Sequence, residues 1–466
     1  MPTEPLQERL TASQFDERLL ITMNRSPVEI LKELIRIDTT NPPGNEREAL
    51  LCLKDILERK HIPVTIQESD TNRGNLVAFL PAKTARKQEN LVLLSHIDVV
   101  MAKADEWDYP PFEAIEENGY IYGRGTVDTK QLTVMELMAF LALADADIPR
   151  NRDTYFIVTG DEENGSNYGL KYLLKHPFEL DKKRINGETV FGNANIISEG
   201  GGFPIIVGDK QFYLCETGQK GNAVVHFTVK SKVWKGPFLP GTDGMKRAMS
   251  LVKELGSTEL DSKLLPTVRQ FIEKLLLAAG LPPKETIEEQ MRDIQPYLSP
   301  FLYKILLAMT HNTIAVAMIR GKNLAETKIT ADIRLLPGYG EDYLKEVLNR
   351  IAARWDVEYE IEACTAGYEA SGEGDLLYCL GKATDDILGK EGVCVELLPF
   401  ISMGSSDGRN LTGYGASVLG YSPVYAWDMT FDEAVKMVHG VNERIAAASV
   451  RLGCNILTEA VKSFVR

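Results

Sequence analysis

Histidines and carboxylates recur in this chain directly after runs that read as β-strands, and that placement suits divalent-cation chemistry. His96-Ile97-Asp98 follows the apolar run LVLLS, Asp128 follows the Gly123-Arg124-Gly125 turn, Asp161-Glu162-Glu163 follows TYFIVTG, and Glu199 follows NIIS. Far downstream, His439 stands in Val438-His439-Gly440 within what reads as the last helical segment. Imidazole and carboxylate form a donor set that zinc accepts, and a bridging carboxylate lets two cations share a small cavity. Each piece alone has an ordinary explanation. A His-X-Asp is commonly a surface or core histidine with an acidic neighbour, Asp-Glu-Glu complements a helix dipole, and an aspartate before a helix is an N-cap. The coincidence of so many at strand ends is what points to metal.

The elements that must position these residues are legible in outline. Ser26-Pro27-Val28-Glu29 offers a cap, a proline suited to the first helical position and an acid able to close a capping box. A helix running to position 37 is expected, ended by Asn41-Pro42-Pro43-Gly44. A helix over 46–59 then leads into β-like runs at 63–67, 75–80 and 91–95. Helical stretches near 130–146 and 165–175 alternate with strands at 154–160 and 194–200. Near-continuous apolar strands separated by helices predict an α/β fold, a catalytic α/β/α domain around a central mixed, largely parallel sheet. Ligands in such sheets collect at the carboxyl ends of the strands.

After Gly218 the texture changes. The run GNAVVHFTVKS is followed by helical sequence over 242–309, interrupted at Pro266 and Pro282-Pro283, and by strand-like runs at 312–321 and 326–338. A smaller α+β domain over 218–338 is therefore expected, inserted into a catalytic domain formed by 1–217 and 339–466. The tail is expected to end in one helix over 430–451.

Composition bounds the partners. Lys+Arg 52 against Asp+Glu 66 leaves a net charge of −14, with six histidines besides. No stretch supplies the concentrated basic surface that nucleic acid or an anionic membrane requires, so neither is an expected partner. The longest apolar stretch, 135–146, contains Glu136 and Asp145 and is shorter than the roughly 20 residues of a membrane span. The N-terminal residues lack the unbroken apolar core of a signal peptide. Six cysteines without a CxxC pair fit reduced thiols, and a cytoplasmic protein is expected.

The runs LIRIDTTNPPGNE (34–46), SHIDVV (95–100), WDYPPF (107–112), YGRGTVDTK (122–130), TGDEENGS (159–166), SEGGG (198–202), DIRLLPG (332–338), SSDGRN (405–410) and HGVNERI (439–445) occur in this order. Together they resemble the co-catalytic zinc hydrolases of metallopeptidase family twenty, which includes aminoacylases, carboxypeptidases, acetylornithine deacetylases and succinyl-diaminopimelate desuccinylases. The resemblance implies two Zn2+ ions, with Co2+ or Mn2+ as substitutes. One ion would be held by His96 and Glu199, the other by Glu163 and His439, with Asp128 bridging them. It implies that Asp98 accepts a hydrogen bond from His96 and fixes its tautomer, and that Glu162 is the general base. It also implies a cis peptide at Asp128-Thr129 and a ferredoxin-like lid, through which relatives form homodimers. The implied reaction is hydrolysis of an amide bond in a small-molecule substrate, an N-acyl amino acid or short peptide with a free carboxylate. The alternatives are an aminopeptidase or dipeptidase of the same family, or a catalytically silent binding protein that kept the fold. A glutamate at the Glu199 position goes with carboxypeptidases and deacylases, an aspartate with aminopeptidases. Arg334 and Arg409 match positions used near the substrate, where a guanidinium suits a carboxylate, and Asp407 and Ser406 share the loop of Arg409.

Two departures stand out. Relatives usually carry a GHxS motif early in the lid, whose histidine stabilises the tetrahedral oxyanion, whereas this chain reads KSKVWKGPFLPG at 230–241. The NVxP motif is likewise altered, to GKNLAETK. Loss of an oxyanion donor costs about 2.7–4 kcal/mol in the barrier, so another group must substitute for full activity. His226, His311 and Lys235 are the candidates that remain.

Overall fold

The computed structural model describes residues 25–85, 87–230, 244–282, 284–323, 326–370 and 372–466. These fall into two compact units. One gathers the described residues up to Thr217 with Ala370–Pro399 and Ser406–Arg466, and the other comprises Gly218–Glu369 with Phe400–Ser405.

The first unit opens with helix α1 (Pro27–Arg36), which has the expected capping box. Ser26 accepts from the Glu29 N–H, and the Glu29 carboxylate accepts from the Ser26 N–H. Its buried stripe of Val28, Ile30, Leu31, Leu34 and Ile35 follows the 3.6-residue period. Helix α2 (Arg47–Arg59) precedes strands β1 (Val64–Asp70), β2 (Arg73–Leu80) and β3 (Gln88–His96). Helix α3 (Lys130–Asp145) is apolar nearly all round and buried along its length from Lys130 to Leu143, as a helix enclosed on every side must be. Strands β4 (Arg152–Thr159), β5 (Asn195–Ser198), β6 (Pro204–Val207) and β7 (Lys210–Gln219) follow.

The second unit is a βαββαβ arrangement. Strand β8 (Gly221–Lys230) alternates buried and half-buried residues along its length. Helices α4 (Gly244–Ser257), α5 (Pro266–Ala278), α6 (Ile287–Ile294) and α7 (Pro300–Ala308) occupy the expected helical stretch. Strands β9 (Thr313–Asn323) and β10 (Glu326–Leu335) are followed by α8 (Glu341–Trp355) and β11 (Glu358–Thr365). The antiparallel sheet runs β9-β10-β8-β11, the ferredoxin-like order. Val225, Phe227, Ile329 and Ile333 of the sheet share one core with Leu251 and Leu255 of α4 and Leu344 and Leu348 of α8. The unit thus continues beyond the expected boundary at 338, because its sheet needs β11 as a fourth strand. That strand, EYEIEACT, lies at an edge, and its acidic residues mask the strand pattern.

The chain then returns to the first unit with α9 (Asp375–Gly389), β12 (Val395–Ser402, whose residues from Phe400 on count with the second unit), β13 (Ser417–Gly420), α10 (Phe431–Met437), β14 (Arg444–Ala446) and α11 (Ala447–Phe464). The large sheet runs β1-β2-β4-β3-β5-β13-β7-β6. Its pairings are parallel from β4 through β3 and β5 to β13, and antiparallel on both flanks. The expected mixed sheet is present, with the parallel part confined to its centre. The single helix expected over 430–451 is instead α10, a turn, β14 and α11. Gly440 marks the break: a Cβ there would lie 2.5 Å from the Lys436 carbonyl oxygen, and His439 and Asn442 adopt left-handed φ values of 58° and 57°. No helix among the described residues is long and apolar enough to cross a membrane.

Candidate metal centre

Strands β4, β3 and β5 are parallel neighbours, so the residues that leave their carboxyl ends emerge side by side. His96 is the last residue of β3, the Asp161–Glu163 turn follows β4, and Glu199 follows β5. Asp128 enters from the turn before α3, through a cis peptide to Thr129 as expected, and His439 enters from the turn after α10.

Asp128 lies between the two imidazoles. Its Oδ1 is 3.2 Å from His96 Nε2 and its Oδ2 is 3.1 Å from His439 Nε2. Glu199 Oε2 is 3.6 Å from His96 Nε2, and Glu163 Oε2 is 3.1 Å from His439 Nε2. Ligand-type atoms of His96, Glu162 and Glu199 lie within 4.8 Å of one another, as do those of His96, Asp128 and Glu163. The other Glu163 oxygen, Oε1, is buried without a hydrogen-bond partner. Carboxylates gathered this closely repel one another unless protons or cations lie among them, so the donor set and its orphan oxygen fit divalent cations.

The protonation tendencies of these groups follow from the same crowding of carboxylates and imidazoles. Burial works against a charged His96, yet Glu199, Asp128 and Asp98 hold its pKa well above the usual imidazole range. Hydrogen bonds to Asp128 and Glu163 raise His439 to about 10. Burial, reinforced by the Glu199 charge, pushes Glu162 well above the carboxylate range. Burial also raises Glu163 and Glu199, although their histidine partners oppose it.

A family model described as Peptidase family M20/M25/M40 matches residues 92–463. The chain belongs to this family. It is 25% identical over 449 residues to the N-fatty-acyl-amino acid synthase/hydrolase PM20D1 of Xenopus tropicalis, covering 91% of this chain and 83% of that one. Among solved structures, human carnosine dipeptidase 1 superposes with a TM-score of 0.68 at 15% identity, covering all of both chains. The M20 family metallo-carboxypeptidase Sso-CP2 from Sulfolobus solfataricus gives 0.67 at 17% identity, covering 94% of this chain and 99% of that one. The structural likenesses establish the shared fold, and the family match makes this an M20 metallohydrolase.

Asp98 meets both His96 and the Glu162–Glu163 turn in this M20 site. His96 Nδ1 is 3.0 Å from the Asp98 backbone carbonyl and 3.5 Å from its carboxylate. The carboxylate also accepts the N–H groups of Glu162 and Glu163, each at 3.1 Å, and Asn41 Nδ2 at 2.8 Å. Asp98 thus faces the imidazole with both its main chain and its carboxylate, and the same carboxylate holds the Glu162–Glu163 turn.

Behind that turn is a buried network that the sequence reading did not include. Asn41 Nδ2 also donates to Asp161 Oδ1 at 3.0 Å, and Arg73 Nη2 donates to both Asp161 at 2.9 Å and Glu46 at 2.7 Å. Asp161 has a φ of 60°, and its side chain accepts the Tyr168 N–H at 2.9 Å, so the turn is held from several directions. Asn41 and Glu46 stand within the NPPGNE run, but nothing local marks Arg73 as their partner.

The residues expected near substrate separate. Asp407 is buried and accepts Thr159 Oγ1 at 3.0 Å together with the Ser166 hydroxyl, bracing the two sides of the β4 turn. Ser406 is buried and accepts the Gly408 N–H at 3.3 Å. Arg409 is half-buried and makes no ion pair among the described residues. Arg334 belongs to the second unit, where Asp332 holds its guanidinium in a fork at 2.7 and 3.0 Å. His226 sits between Thr330 and Glu362, and His311 lies by Thr310 Oγ1 and the Leu307 carbonyl. Lys235 and most of the run replacing GHxS lie outside the described residues.

Proposed function

We propose that this M20 metallohydrolase cleaves the amide bond of an N-acyl amino acid, or of a small peptide with a free carboxylate, using two zinc ions. His96 and Glu199 would hold one, Glu163 and His439 the other, and Asp128 would bridge them. The observation that carries the reading is the bridging geometry of Asp128, one oxygen toward each imidazole. Cobalt or manganese would suit the same donors, since site affinity and metal availability jointly decide occupancy. When bound, such ions acidify water and polarise a scissile carbonyl.

The chain's own residues supply the rest. Glu162 takes a proton from the attacking water and delivers it to the leaving amine, a shuttle supported by its raised proton affinity and its grouping with His96 and Glu199. Asp98 keeps the Glu162 backbone in place, and Glu163 diverges from its neighbour toward His439. Arg409, lacking an ion-pair partner among the described residues, is the better candidate for the substrate carboxylate, since Arg334 is already engaged by Asp332. Glutamate at position 199 and the likeness to an N-fatty-acyl-amino acid synthase/hydrolase favour N-acyl amino acids over unblocked peptides. The role of the second unit as a lid, and any homodimer through it, belong to the same proposal. Six free cysteines fit a reducing compartment.

A panel of N-acyl amino acids of increasing acyl length, set against unblocked dipeptides and assayed with and without a chelator, tests the assignment. Chelator-sensitive release of the free amino acid from the acylated set is expected. Preferential turnover of unblocked dipeptides would refute the substrate class, and the absence of bindable zinc would refute the chemistry.

A further inference from the structure

Four residues beyond His439 lies Glu443, a glutamate whose side chain is 0% exposed and which none of the roles above uses. Its Oε1 accepts the backbone N–H groups of Val127 at 2.6 Å and Asp128 at 3.0 Å. Its Oε2 accepts the Gly125 N–H at 3.0 Å and Arg124 Nη1 at 2.9 Å. The Glu443 carbonyl accepts the Gly123 N–H at 2.9 Å. Arg124 completes the link, because its Nη2 donates to the Gly440 carbonyl at 2.8 Å while its guanidinium lies 5.1 Å from the Trp107 ring centroid. Three backbone donors and one guanidinium therefore converge on a single dry carboxylate. The turn that carries Asp128 is thereby bonded to the turn that carries His439, although the partners lie more than 300 positions apart in the chain.

We propose that Glu443, with Arg124 as its partner, is a positioning residue that holds Asp128 and His439 at the spacing needed to take up the second cation. The inference rests on the ligand assignment above. Asp128 offers an oxygen to each imidazole only while its main chain is held, and the N–H of Asp128 itself ends on Glu443. The His439 side chain is 53% exposed and its backbone has a φ of 58°, so packing around the ring cannot fix it as it fixes His96. What fixes its turn is the Gly440 carbonyl on Arg124 and the Asn442 side chain on Asp108. Removing the Glu443 charge leaves a buried guanidinium and several backbone donors short of an acceptor, and the two ligand turns lose their common anchor. Groups that orient metal ligands without touching the metal typically change affinity by about 10–100-fold.

The test is a zinc titration of the metal-stripped full chain against a chromophoric chelator, comparing wild type with Glu443→Gln and Arg124→Lys. Arg150→Gln serves as a control for general destabilisation, since Arg150 is buried and holds the Leu143 and Pro81 carbonyls. Wild type should bind two zinc ions. Glu443→Gln should weaken the second ion about 10–100-fold, with kcat recovering in excess zinc and KM unchanged. Arg124→Lys, which keeps the charge but not the fork, should weaken the same ion by less, and it carries the test should Glu443→Gln fail to fold. Wild-type zinc affinities in both variants, or an equal loss in Arg150→Gln, would overturn the inference. Wild type binding fewer than two ions would overturn the ligand assignment, and this inference with it.

Discussion

Glu162 and Glu163 are neighbours that face different partners, and the backbone explains how. Both N–H groups end on the Asp98 carboxylate, while Glu163 turns toward His439 and Glu162 groups with His96 and Glu199. Glu162→Gln keeps the shape of the side chain and removes its basicity, so turnover should fall by about 10²–10⁴-fold with zinc content unchanged. Elemental analysis beside the rate assay checks this, and wild-type turnover would remove Glu162 from the mechanism. His439 gives a pH signature in the metal-free chain. Its folded pKa, about 10, lies above the unfolded value of about 6.5, so its pairing with Asp128 and Glu163 stabilises the fold fully below about pH 6.5. That stabilisation fades as pH rises toward about 10. With chelator present, the gap in Tm between wild type and His439→Gln should therefore narrow from pH 6 to 10. A gap that stays constant would show that the pairing does not set the titration.

At the level of elements, the site depends on three parallel strands ending at one edge and on turns that permit close backbone approach. Lys130, at the start of α3, donates to the carbonyls of Leu34 and Ile37 at 2.9 Å each, satisfying the C-terminal end of α1, and burial pulls its ammonium down to about 7. Gly169 is the tightest point. A Cβ there would lie 1.7 Å from the Gly160 carbonyl oxygen, which directly precedes the Asp161–Glu163 turn. Gly169→Ala must therefore displace that turn. A loss of about 1–3 kcal/mol in chemical denaturation is expected, together with impaired turnover. A variant with unchanged stability and activity would show that the turn yields freely.

For the whole molecule, every proposed ligand belongs to the first unit and none to the second. Ligand binding stabilises only what must stay folded to bind, by about 4.1 kcal/mol at a thousandfold excess over Kd. Zinc should therefore slow amide hydrogen exchange in β3, β4, β5 and the 438–446 segment, while leaving β8, β10 and β11 nearly unchanged. Equal protection of both sheets would mean that the units unfold together. The ligand candidates could be read in sequence because metal chemistry restricts residue type and because each candidate follows a strand or turn with a strong local pattern. The buried supports could not be read in the same way. An arginine such as Arg73 or a glutamate such as Glu443 looks solvated until its distant partners are known.

Determined by the sequence alone were the central strands, the α1 capping box and the identity of the candidate ligands, since apolar periodicity, capping and donor chemistry act over a few residues. Only the tertiary structure decided that the Asp98 carboxylate holds the Glu162–Glu163 turn, that residues 358–365 complete the second sheet, and that His439 sits in a turn bonded to the Asp128 loop. Those outcomes depend on hydrogen bonds and strand pairing between residues far apart in the chain, and no local pattern encodes such partners.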